Sequence, residues 1–516
     1  MRWLPCVAVI AIGAGCAGTQ PAVRADDAPA APGEAAAGPA PAPPEAPAPL
    51  DPEIAALPNA RGSWMLDPEF GGVYVVTVGP AGAPGPAAAP PLLLVHGLGT
   101  NGMRDFYPVL APLAAQRRVI MLDLPGFGRS GRNNVKYAPD RYADVLSRLI
   151  AAHGPGPVDV VGHSMGGAIA LFHAAAYPEQ VRRLIVVDAA GILHRDAWFG
   201  YHLRRVTDPT RLVLPRVAEK LGEIAELLTD TSRILDPAPD IVLELAPLRQ
   251  KLLGGKPERI AALGLILTDF SEVIAHIQAP TLVVWGADDT VAPLRTGLML
   301  ADRLPDAQLV VFPGVGHQVM AQAPSLLVPQ IERHLAAAAA AASKRPSAFG
   351  PIAGAQATTP GAVTPAAATA PAAGSATPAA ASKGKGVCSG QSDVVLSGVY
   401  DSVVIEDCAR ITLERVRTTT VVIRRSTASI IRSTITEGII ADASTLLITG
   451  GDLGGEIALD VKDSKVDLAG VAIAARRAPF RATGQSRVLT SVCPVRTAAS
   501  GLRHRHGFVP VTPAAP

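Results

Sequence analysis

The stretch VDVVGHSMGGAIALFHAAAYP, residues 158–178, decides the fold because a glycine-flanked serine joins a strand pattern to a helix pattern. VDVVGH is a short apolar run typical of a buried strand, and GGAIALFHAAAYP favours a helix with small residues at its start. Ser164 lies between them in the pattern G-x-S-x-G, with Gly162 and Gly166. Such a strand–turn–helix connection is strained and exposes a serine hydroxyl, and larger side chains at the glycine positions would collide with neighbouring elements. The stretch therefore predicts that Ser164 is a nucleophile.

Strand and helix patterns alternate on both sides of this stretch. Most of the candidate strands are continuous apolar runs, as in a parallel sheet that is covered on both faces. They lie at 73–78, 91–97, 118–124, 158–163, 183–189, 280–286 and 307–314. The alternation predicts a doubly wound α/β domain over 61–337. The helical stretch at about 190–278 is too long for a crossover and is interpreted as an inserted cap.

A nucleophilic serine needs a base, and a base that becomes charged needs a carboxylate behind it. His317 follows the last candidate strand in the glycine-rich loop GVGHQ and is the predicted base. The segment WGADDTVAP, after the penultimate strand, offers Asp288 and Asp289, and the register of the motif favours Asp289. Asp188 is the outside candidate, interpreted as a residue that ends a strand.

Two backbone amides are expected to form an oxyanion hole. LLLVHGLGTNG follows a candidate strand, and Gly97 lets its backbone approach a substrate closely. The predicted donors are the N–H groups of Leu98 and of Met165, the residue after the nucleophile. His96 is interpreted as ordering this loop, and His163 as packing.

The segments VHGLGTNG, LDLPGFGRS, GHSMGG, WGADDTVAP and GVGHQ together resemble the α/β-hydrolase superfamily. They occur in the superfamily's order and cover most of 61–337. The resemblance implies an α/β-hydrolase fold, with a mostly parallel sheet, helices on both faces and a helical cap. It also implies a Ser164–His317–Asp289 triad that cleaves small-molecule or lipid esters through an acyl-enzyme intermediate.

The serine narrows the choice within that superfamily. Haloalkane dehalogenases and epoxide hydrolases carry an aspartate at this position, so both are excluded as close models. Carbon–carbon bond hydrolases and haloperoxidase-like esterases share the serine triad and stay open. No cofactor and no metal is implied, and a net charge of +2 does not suggest nucleic acid as a partner.

Residues 1–16, MRWLPCVAVIAIGAGC, combine one basic residue, an apolar run and small residues before Cys16. The run is too short to span a bilayer and predicts a secretory signal. GAGC resembles a bacterial lipobox, which implies a lipid anchor on Cys16 and a protein attached to a membrane of the cell envelope, periplasmic or surface-exposed. Ordinary cleavage that discards Cys16 is the alternative, and both interpretations export the protein.

Two Ala/Pro-rich segments, 17–60 and 338–386, are predicted linkers. They isolate a second region, 387–497, in which apolar residues recur every 18 positions. One series is Val403, Val421, Ile439 and Ile457, and the other is Val394, Thr412, Ile430, Ile448 and Val466. Two strand-like segments per short repeat predict a small all-β solenoid with 18-residue repeats, followed by a flexible tail at 498–516.

The cysteines agree with an exported β domain. The region resembles small secreted β-solenoid domains that begin with a cysteine and carry another about one coil later, which implies a Cys388–Cys408 bridge and leaves Cys493 over. The region's ligand stays open between a polymer, a wall or a protein, and a rigid spacer is the alternative. A competing interpretation of the whole chain is a non-catalytic envelope scaffold that acts through the solenoid.

Overall fold

The structure is a computed structural model that describes residues 50–80, 89–154, 156–198, 239–337 and 384–510. The predicted signal, Cys16, most of both predicted linkers and a large part of the predicted cap lie outside the described residues. In the described ranges, no helix has the length and apolar character that crossing a membrane requires.

An eight-stranded sheet forms the centre of the described α/β region, residues 50–337. Its strands are β1 (Arg61–Asp67), β2 (Gly71–Val78), β3 (Leu92–Val95), β4 (Val119–Leu122), β5 (Val158–His163), β6 (Val181–Val187), β7 (Thr281–Gly286) and β8 (Ala307–Phe312). They lie in the order β1-β2-β4-β3-β5-β6-β7-β8. β2 pairs antiparallel with β1 and β4, and the other neighbours are parallel.

The predicted strands correspond to β2–β8, and β1 was not predicted. β3 to β7 are almost wholly buried, which explains their continuous apolar runs. β1 is an edge strand whose residues, RGSWMLD, are mostly half-buried or exposed, so it carries no apolar run.

Helices cover both faces of this sheet. They are α1 (Pro52–Ala55), α2 (Tyr107–Ala114), α3 (Pro139–His153), α4 (Met165–Ala176), α5 (Pro239–Glu244), α6 (Ala246–Leu253), α7 (Pro257–Leu267), α8 (Ser271–His276), α9 (Leu294–Arg303), α10 (Val319–Gln322) and α11 (Pro324–Ala336). Successive strand residues alternate between two apolar clusters. Leu93 packs with residues of α3, α4 and α9, and Leu94 packs with those of α2 and α11.

The folded part begins earlier than the predicted linker boundary at residue 60. Ile54 in α1 is buried, and the Asp51 carboxylate accepts hydrogen bonds from Arg104 at 2.9 Å, Tyr107 at 2.7 Å and Arg129 at 2.6 Å. The hydrogen bonds from Arg104 and Tyr107 lower the pKa of Asp51 to about 2. The linker prediction was therefore wrong for 50–60, because two residues anchor a segment whose composition is otherwise that of a linker.

The described part of the cap consists of α5 to α8. Two ion pairs join it to the loop before α3: Arg132 with Glu258 at 2.7 Å, and Lys136 with Glu244 at 2.6 Å. The predicted cap at about 190–278 includes residues 199–238, which lie outside the described residues.

The second region, residues 384–510, is all-β and is called the β region below. Its strands are β9 (Lys385–Ser389), β10 (Ser392–Val399), β11 (Ser402–Glu406), β12 (Arg410–Thr418), β13 (Thr420–Arg424), β14 (Thr427–Ile431), β15 (Thr434–Ile435), β16 (Ile439–Asp442), β17 (Thr445–Thr449), β18 (Asp452–Lys462), β19 (Lys465–Ala469), β20 (Ala472–Thr483), β21 (Arg487–Thr497) and β22 (Arg503–Val509). β9 to β21 pair in parallel, coil upon coil, around one apolar cluster, an architecture consistent with the expected solenoid.

The coils are not of one length, so the 18-residue repeat holds at some steps and was wrong at others. Val403 pairs with Val421, and Val421 with Ile439, at the expected spacing, but Ile439 pairs with Leu459 rather than Ile457. The longer coil contains Gly454 and Gly455, and the register of the β18–β20 pairing shifts directly after them. An insertion changes the register while the interior stays apolar, so periodicity alone does not reveal it.

In the second predicted series, only the pairing of Ile430 with Ile448 matches. Thr412 pairs with Val395 rather than Val394, and Leu413 rather than Thr412 pairs with Ile430. Ile448 pairs with Leu468, and Val466 pairs with Leu446. These coils are 17 and 20 residues long at those steps, so a fixed spacing of 18 selects residues that are not paired, and the one-residue slip places Thr412 on the other face of its strand.

The end of the chain also departs from the prediction. β22, in the predicted tail, pairs antiparallel with β21, with Arg503 opposite Val495. Its sequence, RHRHGFV, is mostly polar, so it lacks an alternating apolar pattern. Cys388 and Cys408 form a disulfide, as the resemblance implies. Cys493 is buried and unbridged, and burial raises its pKa to about 11.

Candidate active site

Ser164 occupies the tight turn between β5 and α4. Its backbone has φ 54° and ψ −121°, a left-handed conformation that is strained for a residue with a side chain. A Cβ on Gly162 would lie 2.3 Å from the carbonyl oxygen of Gly166, and one on Gly166 would lie 2.1 Å from that of Val95. Both glycines are therefore sterically required, and they hold the serine at the carboxyl end of the central strands.

The structure brings the three predicted triad side chains together. His317 Nε2 lies 2.9 Å from Ser164 Oγ, and His317 Nδ1 lies 2.8 Å from Asp289 Oδ2. The other oxygen of Asp289 accepts the N–H groups of Val291 at 2.7 Å and Ala292 at 2.9 Å. Because Nδ1 faces a carboxylate, it carries the proton, and Nε2 is left to accept the serine proton.

The structure distinguishes Asp289 from the two other candidates for the acid of the triad. Asp289 is 1% exposed and contacts His317, whereas Asp288 is exposed to solvent. Asp188 ends β6 with a left-handed backbone at φ 46°, and its Oδ1 accepts the N–H of Gly286 at 2.9 Å. Burial, and then the negative charge of Asp289, raise the pKa of Asp188 well above its usual value. Burial beside Asp289 therefore favours the protonated form of Asp188.

His163 contributes more than the packing that the sequence indicated. Its Nε2–H donates to the backbone carbonyl of His317 at 2.8 Å, which ties the elbow to the loop that carries the base. Burial, and then the neighbouring His317, lower its pKa to about 4, so it is neutral at pH 7. The sequence around His163 does not predict this contact, because the contact joins a side chain to a backbone atom 154 residues away.

The predicted oxyanion loop passes directly beside the nucleophile. A Cβ on Gly97 would lie 2.9 Å from the Cβ of Ser164, so Leu98 follows at a point where the backbone touches the elbow. Met165 is the first residue of α4 and is buried. His96 donates from Nδ1 to the carbonyl of Gly97 at 2.7 Å and accepts the N–H of Leu124 at 2.9 Å. These bonds support the role of His96 as the residue that orders this loop.

One group of potential metal ligands occurs among the described residues. Ligand atoms of His163, Asp188 and His317 all lie within 4.8 Å of one another. Both ring nitrogens of His317 are already bonded to Ser164 and Asp289, and Nε2 of His163 is bonded to the carbonyl of His317. The arrangement therefore suits proton transfer to and from Ser164 better than cation binding.

Comparison with known proteins agrees with this fold. Residues 90–324 match the model of a family described as alpha/beta hydrolase fold. A pimeloyl-[acyl-carrier protein] methyl ester esterase of Chromobacterium violaceum is 34% identical over 233 residues, which are 44% of this chain and 87% of that protein. The chain belongs to the α/β-hydrolase family.

Other relatives of this α/β-hydrolase are named for different activities. Lipase 1 of Psychrobacter immobilis is 30% identical, with 53% of this chain and 81% of that protein covered. A 2-hydroxymuconate semialdehyde hydrolase of Pseudomonas sp. (strain CF600) is 32% identical, with 44% and 80% covered. The family match ends at residue 324, so the β region lies outside it.

Proposed function

We propose that this α/β-hydrolase is a serine hydrolase that cleaves carboxylic esters through an acyl-enzyme intermediate. The observation that carries the proposal is the hydrogen-bonded chain from Ser164 Oγ through His317 to Asp289. A serine hydroxyl is a weak nucleophile until a base takes its proton, and this chain provides the base together with the carboxylate that stabilises it.

In the proposed first half-reaction, His317 Nε2 takes the proton of Ser164 as Oγ attacks the ester carbonyl. The N–H groups of Leu98 and Met165 donate to the resulting oxyanion. When the tetrahedral intermediate collapses, His317 returns the proton to the departing alkoxide, which leaves as the alcohol. Ser164 then carries the acyl group as an ester.

In the second half-reaction, His317 takes a proton from water, and the hydroxide attacks the acyl ester. Collapse releases the carboxylic acid and returns the proton to Ser164. Asp289 stays ionised throughout and stabilises the imidazolium. Because the pKa of His163 is lowered to about 4, this histidine adds no positive charge at pH 7, and the positive charge that forms on His317 faces the Asp289 carboxylate.

An acyl ester of some length is the favoured substrate. Leu98, on the oxyanion loop, is partly buried against the same apolar cluster as Ile266 and Leu267 of cap helix α7. Half-buried apolar side chains on the oxyanion loop and on the cap suit an alkyl chain. The esterase and lipase names of two relatives support an ester substrate here. We also propose export and attachment to the cell envelope through a lipid on Cys16.

The test uses soluble protein without residues 1–16, assayed on p-nitrophenyl esters from acetate to palmitate. Ser164→Ala should lower kcat by about 10³-fold or more, because the covalent route is lost. Ser271→Ala is the matched control: this serine is also buried, and no hydrogen-bond partner of its Oγ is found among the described residues. The control should keep the wild-type kcat.

Labelling with a fluorophosphonate separates the alternatives. Labelling of Ser164 with ester turnover supports the proposal, and the best chain length defines the acyl preference. Labelling without ester turnover would overturn the ester assignment and favour a carbon–carbon substrate, as the 2-hydroxymuconate semialdehyde hydrolase relative would suggest. Neither labelling nor turnover would overturn the serine-hydrolase assignment itself.

A further inference from the structure

Helix α9 is covered on both sides, and the β region provides one of the covers. On the inner side, Gly297 lies against Trp285 of β7, where an added Cβ would come within 2.7 Å of the indole. On the outer side, Arg295 forms a two-pronged ion pair with Asp467 of β19, with Nη1–Oδ2 at 2.7 Å and Nη2–Oδ1 at 3.2 Å. The Arg295 side chain is 8% exposed and that of Asp467 is 15% exposed, so this pair is largely removed from water.

The docked surface of the β region is a row of coil corners. Arg432, Gly450, Gly470 and Val492 occupy this row one coil apart, and all four have left-handed backbones with φ between 47° and 61°. Val492 is 2% exposed and, like Ala469 beside Gly470, belongs to the apolar cluster of the α/β region. We call these four residues the docking row.

The glycines of the docking row stand where α9 comes closest. A Cβ on Gly470 would lie 2.2 Å from Met299 Cγ, and one on Gly450 would lie 3.0 Å from Asp302 Oδ2. Asp302 also accepts the N–H of Gly451 at 2.8 Å. Close backbone approach, a buried ion pair and shared apolar packing therefore fix α9 against the β region.

Helix α9 begins five residues after Asp289, at the end of the loop that carries the acid. Hydrogen bonds to backbone atoms hold that loop, residues 287–293. The Asp289 carboxylate accepts from the N–H groups of Val291 and Ala292, and the carbonyl of Ala292 accepts from Trp285 Nε1 at 2.9 Å. A displacement of α9 pulls on Pro293 and therefore on the two N–H groups that orient the Asp289 carboxylate.

A second connection reaches the same loop from the other side. Ser491, next to Val492 in the docking row, accepts the N–H of His194 at 3.0 Å. One helical turn later, Trp198 Nε1 donates to the carbonyl of Val291 at 2.8 Å. Both connections run from the docking row to the backbone that supports Asp289.

We propose that the β region is a positioning element of the catalytic site: its docking row holds α9 and the segment 194–198 so that the acid loop stays aligned behind His317. This inference rests on the proposed serine-hydrolase function. It assigns to Arg295, Asp467 and Gly470 a role in the rate of the chemical steps, although these residues are remote from Ser164.

The first experiment breaks and restores the ion pair in the full chain. Asp467→Arg places two cations together and should lower kcat roughly tenfold to a hundredfold while KM changes by less than about threefold, because small misplacements of a catalytic group affect chemistry more than binding. Arg295→Asp combined with Asp467→Arg reverses the charges and should recover most of kcat. Asp460→Arg, which disrupts the Asp460–Arg481 pair elsewhere in the β region, is the matched control and should leave kcat unchanged.

A second pair of variants tests contact rather than charge. Gly470→Ala and Gly390→Ala both put a side chain on a left-handed residue, at φ 60° and 63°, but nothing lies within 4 Å of a Cβ on Gly390. Only Gly470→Ala should lower kcat. Equal kcat in both variants and the wild type, or a failure of the charge reversal to restore kcat while both proteins are folded, would overturn the proposal.

Amide hydrogen exchange distinguishes failure of this inference from failure of the proposed function. Faster exchange at residues 287–303 in Asp467→Arg, with the Asp460→Arg control unchanged, supports the positioning role even if the wild type turns over no ester tested. Unchanged exchange at 287–303 overturns the positioning role even if the wild type is an active esterase.

Discussion

The α/β region and the β region bury polar side chains in opposite ways. In the α/β region four of them converge from distant parts of the chain onto one place. His163 at the end of β5, Asp188 at the end of β6, Asp289 after β7 and His317 after β8 share a single network. His317 contributes to the lowered pKa of His163, and Asp289 contributes to the raised pKa of Asp188, as is typical of the buried groups of a reactive site.

In the β region the buried polar side chains repeat instead of converging. Ser426, Ser444, Ser464 and Ser486 occupy one corner of successive coils, with Cys408 in the equivalent position of the coil before them. Ser444 Oγ accepts the N–H of Ser426 at 3.2 Å and donates to the carbonyl of Asp442 at 2.7 Å. Every such group is neutral and satisfied by its neighbours, so the row stabilises the coils and offers no chemistry. In this protein the converging polar groups form the candidate active site, and the repeating ones stabilise the coils.

The largest expected effect on kcat comes from replacing one of the converging groups. Asp289→Asn should lower kcat by about 10⁴-fold, because the amide cannot stabilise the imidazolium and favours the wrong tautomer of His317. Asp288→Asn, one residue earlier but exposed, should retain the wild-type kcat. Steady-state kinetics on the best ester checks both, and equal losses in the two variants would contradict the assignment of the acid.

Acid should affect the α/β region strongly. Burial lowers the pKa of His163 and His173 to about 4, whereas unfolded histidine has a pKa of about 6.5. Between those values the unfolded chain binds protons that the folded chain does not, so the free energy of unfolding falls as pH falls, by about 2 kcal/mol per histidine at pH 5. Urea unfolding at pH 7.5 and 5, followed by tryptophan fluorescence, measures this. His173→Leu should show a smaller fall, and an identical fall would refute the role of His173.

The disulfide should matter to the β region alone. Replacing both Cys388 and Cys408 with serine should lower the stability of this region by about 3 kcal/mol, because the bridge restricts the unfolded chain. The kcat should not change, since the bridge lies in the first coils and the docking row lies in later ones. Calorimetry reports the stability, and a parallel loss of kcat would show that the first coils also act on the site.

The smallest expected effect comes from one repeating group. Ser444→Ala leaves the buried N–H of Ser426 without its acceptor and should cost about 1–3 kcal/mol of stability in the β region. Ser392→Ala, at an exposed serine, should cost almost nothing. Thermal unfolding compares the two variants. If Ser444→Ala lowered kcat at an unchanged melting temperature, the division between converging and repeating groups would be wrong.

The sequence by itself determined the α/β architecture and the residues of the candidate site. Continuous apolar runs mark strands that are buried on both faces, and the elbow glycines, His317 and Asp289 stand at strand ends, where a parallel sheet brings side chains together. Three elements were not predicted from the sequence: edge strand β1, the ordered segment at 50–60 and strand β22. Their residues are exposed or polar, or are anchored by one or two contacts.

Only the tertiary structure decided the rest. The raised pKa of Asp188 depends on burial beside Asp289, and the contact of His163 with His317 depends on two loops that are remote in sequence. The coil lengths of the β region and its docking on α9 depend on which backbone approaches which, and periodicity carries no information about that. The local sequence pattern specifies the strands and helices, whereas the pKa shift of Asp188 and the docking of the β region on α9 depend on distances between those elements.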